Sequence, residues 1–240
     1  MKTEEDFKNG QVLLIDKPLT WTSFQAVNKL RWSIRQAYAI KKIKVGHAGT
    51  LDPLATGLLV ICTGKMTKQI NIFQGQEKEY TGTFMLGGST PSFDLETEVN
   101  ETFSTEHITN ELIHNTTEQF TGKIEQFPPV FSAIKKDGKR LYEFARAGEE
   151  VEIKSRQVEI TEFEITQINT STALNTSSLE LHFRVVCSKG TYIRSLANDF
   201  GKALNSGAHL SSLRRTRIGD FKVDDALTPE DFIANLPSKD

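Results

Sequence analysis

The stretch Gly46-His-Ala-Gly-Thr-Leu-Asp52-Pro-Leu-Ala-Thr-Gly57 puts one carboxylate on a stiff loop. Its glycines mark a tightly turned backbone, and Pro53 pushes Asp52 toward extended geometry. Apolar Leu51 and Leu54 flank the acid, and the apolar run Leu58 to Cys62 follows. A carboxylate so placed is costly unless it is paired or used. Asp52 either caps the turn through its own backbone or serves as a reactive group. As residue types alone, the other candidates read more plainly. Tyr80 is a core or edge tyrosine on a strand, and Arg194 is a surface arginine on the first turn of a helix. His47 is a turn residue or a wedge, while Tyr192 and Leu213 are packing residues.

These residues need elements to hold them. Val12 to Ile15 and Leu58 to Cys62 read as buried strands, and Lys78 to Leu86 as a third that alternates. Val158 to Phe163 and Leu179 to Cys187 add two more. In the second of these, Leu179, Leu181, Phe183, Val185 and Cys187 face inward. Thr22 or Ser23 caps a helix to about Arg35 with Phe24, Val27, Leu30 and Ile34 on one face. Further helices are expected over Thr105 to Asn115, with Ile108, Leu112 and Ile113 inward, and over Arg140 to Ala147, stopped by Gly148. Another runs from a Thr191 cap to Phe200, and a last one opens at Thr228-Pro229. The mixture predicts an α+β domain on a mixed, mostly antiparallel sheet with flanking helices and loops. The polar stretch between Phe120 and Val151 reads as a basic-tipped excursion from it.

Several long motifs, in one order, resemble the TruB family, the tRNA pseudouridine-55 synthases. They are Gly10 to Ser23, Val45 to Lys68, Lys78-Glu-Tyr80, Phe127 to Val151, Cys187 to Arg194 and Gly207 to Arg215. The resemblance implies the pseudouridine synthase fold and one catalytic domain over residues 1–240. Residues 120–151 would be an RNA-gripping insertion, and the family's small C-terminal RNA-binding (PUA) domain would be missing. It implies that Asp52 is the nucleophile and Arg194 its ion-pair partner, since an anion in a partly dry pocket needs a cation. Tyr80 would lie against the target base, with Tyr192 and Leu213 as further base contacts. His47 would stack in the RNA and help to hold the base out of its loop. In the segment Thr90-Pro-Ser-Phe-Asp94-Leu-Glu96, Asp94 takes the family's place for an acid after a Thr-rich turn, while Pro91 and Phe93 depart from the pattern.

The implied partner is the T-arm stem-loop of tRNA, and the charge distribution is compatible with it. The chain has 240 residues and a net charge of −2, yet residues 1–80 carry +5, residues 81–180 carry −9 and residues 181–240 carry +2. Local field matters more than the total. Lys41, Lys42 and Lys44, then Lys135, Lys136, Lys139 and Arg140, then Arg214, Arg215 and Arg217 are the expected phosphate contacts. No metal or organic cofactor is expected. Cys62 and Cys187 sit singly in strand patterns without a second ligand nearby, and Gly64-Lys65 lacks the spacing of a phosphate loop. The polar start, Met1 to Asn9, has no apolar segment, so a cytoplasmic monomer is expected. A non-catalytic RNA-binding module, or a synthase for another RNA site, are the competing readings.

Overall fold

The structure, a computed structural model, describes residues 2–132, 134–136, 138–149, 151–171 and 178–237. Ala133, Asp137 and Glu150 of the excursion, and so part of the expected Asp137-Gly138 turn, lie outside the described residues. In chain order the elements begin with α1 (Glu4–Asn9), β1 (Val12–Lys17), α2 (Ser23–Ala37), β2 (Val45–His47) and β3 (Ala55–Thr63). A 3-10 turn over Gly64–Gln69 leads to α3 (Ile70–Gly75), β4 (Lys78–Leu86), β5 (Gly88–Ser89) and β6 (Glu101–Thr102). Then come α4 (Asn110–Gln119), β7 (Gly122–Gln126), β8 (Lys135–Lys136), β9 (Lys139–Arg140) and α5 (Leu141–Ala147). The chain continues with β10 (Arg156–Ser171), β11 (Ser178–Cys187), α6 (Ile193–Ala203), β12 (Ala208–Ile218), β13 (Phe221–Lys222) and α7 (Pro229–Ala234).

These elements sort into two compact units, Met1–Tyr80 with Leu213–Asp240, and Thr81–Ser212. In the first, β1 and β2 pair with β3 antiparallel, Val12 opposite Cys62 and Val45 opposite Thr63. The end of β12 pairs with β3 in parallel, Leu213 opposite Ala55 and Arg215 opposite Gly57. The apolar run in β3 is explained by burial on both faces. Leu59 and Ile61 pack with Val27, Leu30 and Ile34 of α2, whereas Leu58 and Val60 pack with Ala48, Ile218 and Val223. Gly57, at φ +100°, marks where β12 approaches most closely: a Cβ there would run into the Arg215 backbone.

In the second unit, β7, β10 and β11 form an antiparallel ladder, with β4 and then β12 beyond β11 in the strand order. Its centre is aromatic. The Phe84 and Phe183 rings stack at 4.2 Å, and Phe200 of α6 meets Phe163 edge-on at 5.3 Å. Ring pairs at such distances add to the burial term. A mostly antiparallel α+β architecture is thus borne out.

Four local expectations are corrected. Phe24 points outward, 65% exposed, and Ala26 takes the inward place on α2. α4 starts later than expected because Thr109 supplies the cap, accepting from Leu112 N at 3.1 Å. That phase turns Leu112 to solvent and Ile113 inward. Tyr192, not Thr191, is the N-cap position of α6, since the Thr191 hydroxyl donates to the Ser188 carbonyl instead. β10 runs well beyond Phe163, and its two register shifts against β11 break the alternation that would have marked it. No described helix is long and apolar enough to cross a membrane.

Candidate active site

In the first unit, β2 turns into the loop that carries Asp52 and re-enters the sheet as β3. The backbone on either side of Asp52 is tied down. The Ser23 hydroxyl, at the start of α2, accepts from Leu51 N at 2.8 Å and donates to Leu51 O at 3.1 Å. The Pro53 carbonyl accepts from Thr20 N at 2.8 Å. Arg215 reaches from β12 and donates to the carbonyls of Leu58 at 2.8 Å, Gly49 at 3.1 Å and Thr50 at 3.5 Å. Asp52 itself is half-buried.

Two buried cations belong to this neighbourhood. Lys17, with no exposed surface, donates to the carbonyls of Pro18 at 2.8 Å and Trp21 at 2.6 Å. Burial pushes its amine down to about 8; the Asp52 carboxylate opposes that shift and the Arg215 charge reinforces it. Arg215 is 1% exposed, which contradicts its expected role as a phosphate contact. Arg214 is engaged too, paired with Asp16 through its two terminal guanidinium nitrogens, and Arg217 pairs with Glu77 at 2.9 Å. Lys41, Lys42 and Lys44 are exposed, as that role requires. Cys62 and Cys187 are buried, and burial lifts the Cys62 thiol to about 11, as for a core thiol.

The remaining candidates divide between the units. His47, Tyr80 and Leu213 belong with Asp52 in the first. His47 sits opposite Ile61 on β2; burial holds its imidazole below the usual range, partly offset by the Gly49 backbone, with Arg215 adding to the depression. Tyr80 is buried on β4, and Leu213 faces Ala55, three residues after Asp52. Arg194 and Tyr192 belong to the second. Arg194, 4% exposed, donates to the carbonyls of Ser92 at 3.2 Å and Phe131 at 2.9 Å. Its Nε lies 3.5 Å from Asp94 Oδ2, also buried. The Gln126 side chain clamps the Tyr192 backbone, accepting from its N–H at 2.7 Å and donating to its carbonyl at 3.0 Å. Arg156 covers the Tyr192 ring at 4.5 Å.

Lys17, Gln126 and the uses of Ser23 and Arg215 escaped sequence reading. Only Lys17 carried a signal: it lies two residues after Ile15, in step with Leu13 and Ile15 on the strand. Asp94 was placed by its motif, not by its partner.

Residues 35–193 match the model of the TruB family pseudouridylate synthase N-terminal domain, and residues 194–238 that of the tRNA pseudouridylate synthase B C-terminal domain. The chain belongs to the TruB family. It is accordingly an isomerase with the pseudouridine synthase fold. Among TruB relatives, the tRNA pseudouridine synthase B of Flavobacterium johnsoniae is 64% identical, covering 94% of this chain and 95% of its own. That of Phocaeicola vulgatus is 57% identical, over 95% and 93%. Among solved structures, a chain of a Cbf5-Nop10-Gar1 complex matches with TM-score 0.69 and 29% identity over 97% of this TruB chain. This chain spans only 56% of that one.

Lys17 gives the stability of this TruB fold a measurable pH dependence. A neutral amine keeps two N–H donors, enough for Pro18 and Trp21. Between pH 8 and the ordinary lysine value of 10.5, the unfolded chain holds a proton that the folded state has released. Stability from this group therefore rises with pH across that window, and the burial penalty is fully present below it. Denaturant titrations from pH 7.5 to 10 are expected to show a wild-type gain of roughly 1–3 kcal/mol from this residue. Lys17→Met is expected to lack that gain; an unchanged slope would exclude Lys17 as its source.

Proposed function

We propose that this enzyme isomerises the T-loop uridine of tRNA, U55, to pseudouridine. The target base must first leave the stack, because its glycosidic bond is out of reach within it. Asp52 acts as the nucleophile that holds the intermediate. The N1–C1′ bond breaks, the base turns, C5 joins C1′, the proton on C5 leaves to solvent and N1 takes one up. Atoms balance without redox change, so the reaction runs with no metal or organic cofactor. Arg194 serves as the cation for Asp52, a role that rests on the motif match. Tyr80 stacks on the base, which is typically worth ~1–3 kcal/mol. Tyr192 and Leu213 line its pocket, and His47 wedges into the RNA loop. Exposed Lys41, Lys42 and Lys44 meet the backbone of the T-arm. The whole chain works as one catalytic domain in a cytoplasmic monomer, with residues 120–151 as the RNA-gripping insertion.

The observation that carries this reading is the relative named for the tRNA reaction, 64% identical over 95% of its length. The pinned loop around a half-buried Asp52 supports it chemically. A tRNA transcript labelled with tritium at C5 of every uridine is expected to release the label from one position only. A transcript with cytidine at position 55 is expected to release none. Equal release from both would overturn the choice of U55.

A further inference from the structure

Arg215 is a cation buried in the first unit, and its side chain donates to three backbone carbonyls. Those carbonyls are not scattered. Gly49 and Thr50 precede Asp52, and Leu58 follows it on β3. One planar fork therefore spans the two limbs of the loop. Buried carbonyls in the turn and on the adjoining strand need donors, since an unpaired buried acceptor is costly. A guanidinium offers donors on three nitrogens at fixed separations, whereas an ammonium offers them from a single point. Gly49, at φ +102°, supplies the left-handed turn that presents these carbonyls; a Cβ there would be in ordinary contact, 3.7 Å from Arg215 Nη1, so the backbone conformation rather than space calls for glycine.

The anchor of this fork matters as much as its reach. Arg215 lies opposite Gly57 in the parallel β3–β12 pairing, and Leu213 lies opposite Ala55. Residues two apart on a strand share a face. The residue that holds the Asp52 loop is thus fixed to the same strand face as Leu213, proposed above as a wall of the base pocket.

We propose that Arg215 is a positioning residue for catalysis: it sets the place of the Asp52 carboxylate relative to the base-pocket wall at Leu213. This rests on the assignment of Asp52 as nucleophile. Misplacing a reacting group by about 1 Å can cost about 100-fold in rate. Contacts to RNA phosphates are not involved.

The test is Arg215→Lys, measured as single-turnover rate at saturating enzyme and as tRNA affinity. Temperatures well below the melting point are used, with rates taken per folded molecule. The expected result is a rate reduced by about 100-fold with affinity within about 3-fold of wild type. Added guanidinium is expected to restore part of the rate to Arg215→Ala, while methylammonium is not. A purely stabilising role would lower the melting temperature and leave the rate of folded molecules unchanged, and that result overturns the proposal. Should both variants fail to fold, an ester in place of the Gly49–Thr50 peptide bond weakens the Gly49 acceptor while Arg215 stays. Its rate is expected to fall with affinity retained, and an unchanged rate overturns the proposal. Asp52→Asn is run alongside. If that variant is active, the nucleophile assignment fails; if it is inactive and Arg215→Lys is not slowed, only the positioning role fails.

Discussion

Asp52→Asn is expected to lower turnover by roughly four orders of magnitude, the scale on which loss of a key catalytic group leaves binding and positioning alone. The amide matches the carboxylate in shape, and ties through the backbone and the neighbouring residues, which the substitution keeps, hold the loop: Ala55 N to the Asp52 carbonyl, Ser23 to Leu51, Thr20 to Pro53 and Arg215 to Gly49, Thr50 and Leu58. The loop should therefore stay in place and tRNA affinity change by no more than a few fold. A second readout follows from charge. The Asp52 carboxylate raises the proton affinity of Lys17 against the effect of burial. Its replacement by a neutral amide is expected to move the Lys17 amine further down, which side-chain NMR of the lysine would report. Normal turnover in a folded Asp52→Asn would refute the nucleophile assignment. An unmoved Lys17 with lost turnover would place the Asp52 charge farther from Lys17 than the folded loop has it.

The loop was legible in the sequence because its signals are local. Glycine spacing, an Asp-Pro step and a run of apolar residues buried on both sheet faces all act within a few residues. The caps at Thr22 and Thr228 are of the same kind. The misses share an opposite cause. Arg215 looks like a solvated charge until the carbonyls of Gly49 and Thr50 arrive from a segment about 165 residues away. Lys17 likewise becomes a core group only when the turn after β1 folds its carbonyls back over it. α1 was overlooked because its sequence is polar; a Thr3–Asp6 capping box and a single buried Phe7 hold it. A periodicity argument has no means of finding a helix that buries one side chain.

The largest expected effect on stability lies in the second unit, at Asp94. Its carboxylate meets Arg194, and both groups are buried. The carboxylate also accepts from Glu96 N at 3.0 Å, and the Asp94 carbonyl accepts from Thr90 Oγ1 at 2.7 Å and Ser92 Oγ at 3.1 Å. The segment is then laid beside β12, where Leu210 N donates to the Phe93 carbonyl at 2.9 Å. Asp94→Ala strips a buried cation of a carboxylate and leaves Glu96 N without that acceptor. Breaking a buried pair from one side typically costs ~3–5 kcal/mol. The 3.5 Å separation at Nε and the two carbonyls that still hold Arg194 place this one near the lower end, at about 3 kcal/mol. Asp94→Asn keeps an acceptor for Glu96 N and should cost less. The decisive measurement is a double-mutant cycle with Arg194→Met, which removes the cation of the pair. If the pair is what Asp94 contributes, the double variant is expected to be more stable than the sum of the two single losses by at least about 1 kcal/mol. Additive losses would mean that Asp94 serves its own loop alone, and that Arg194 is oriented by Ser92 and Phe131 without it.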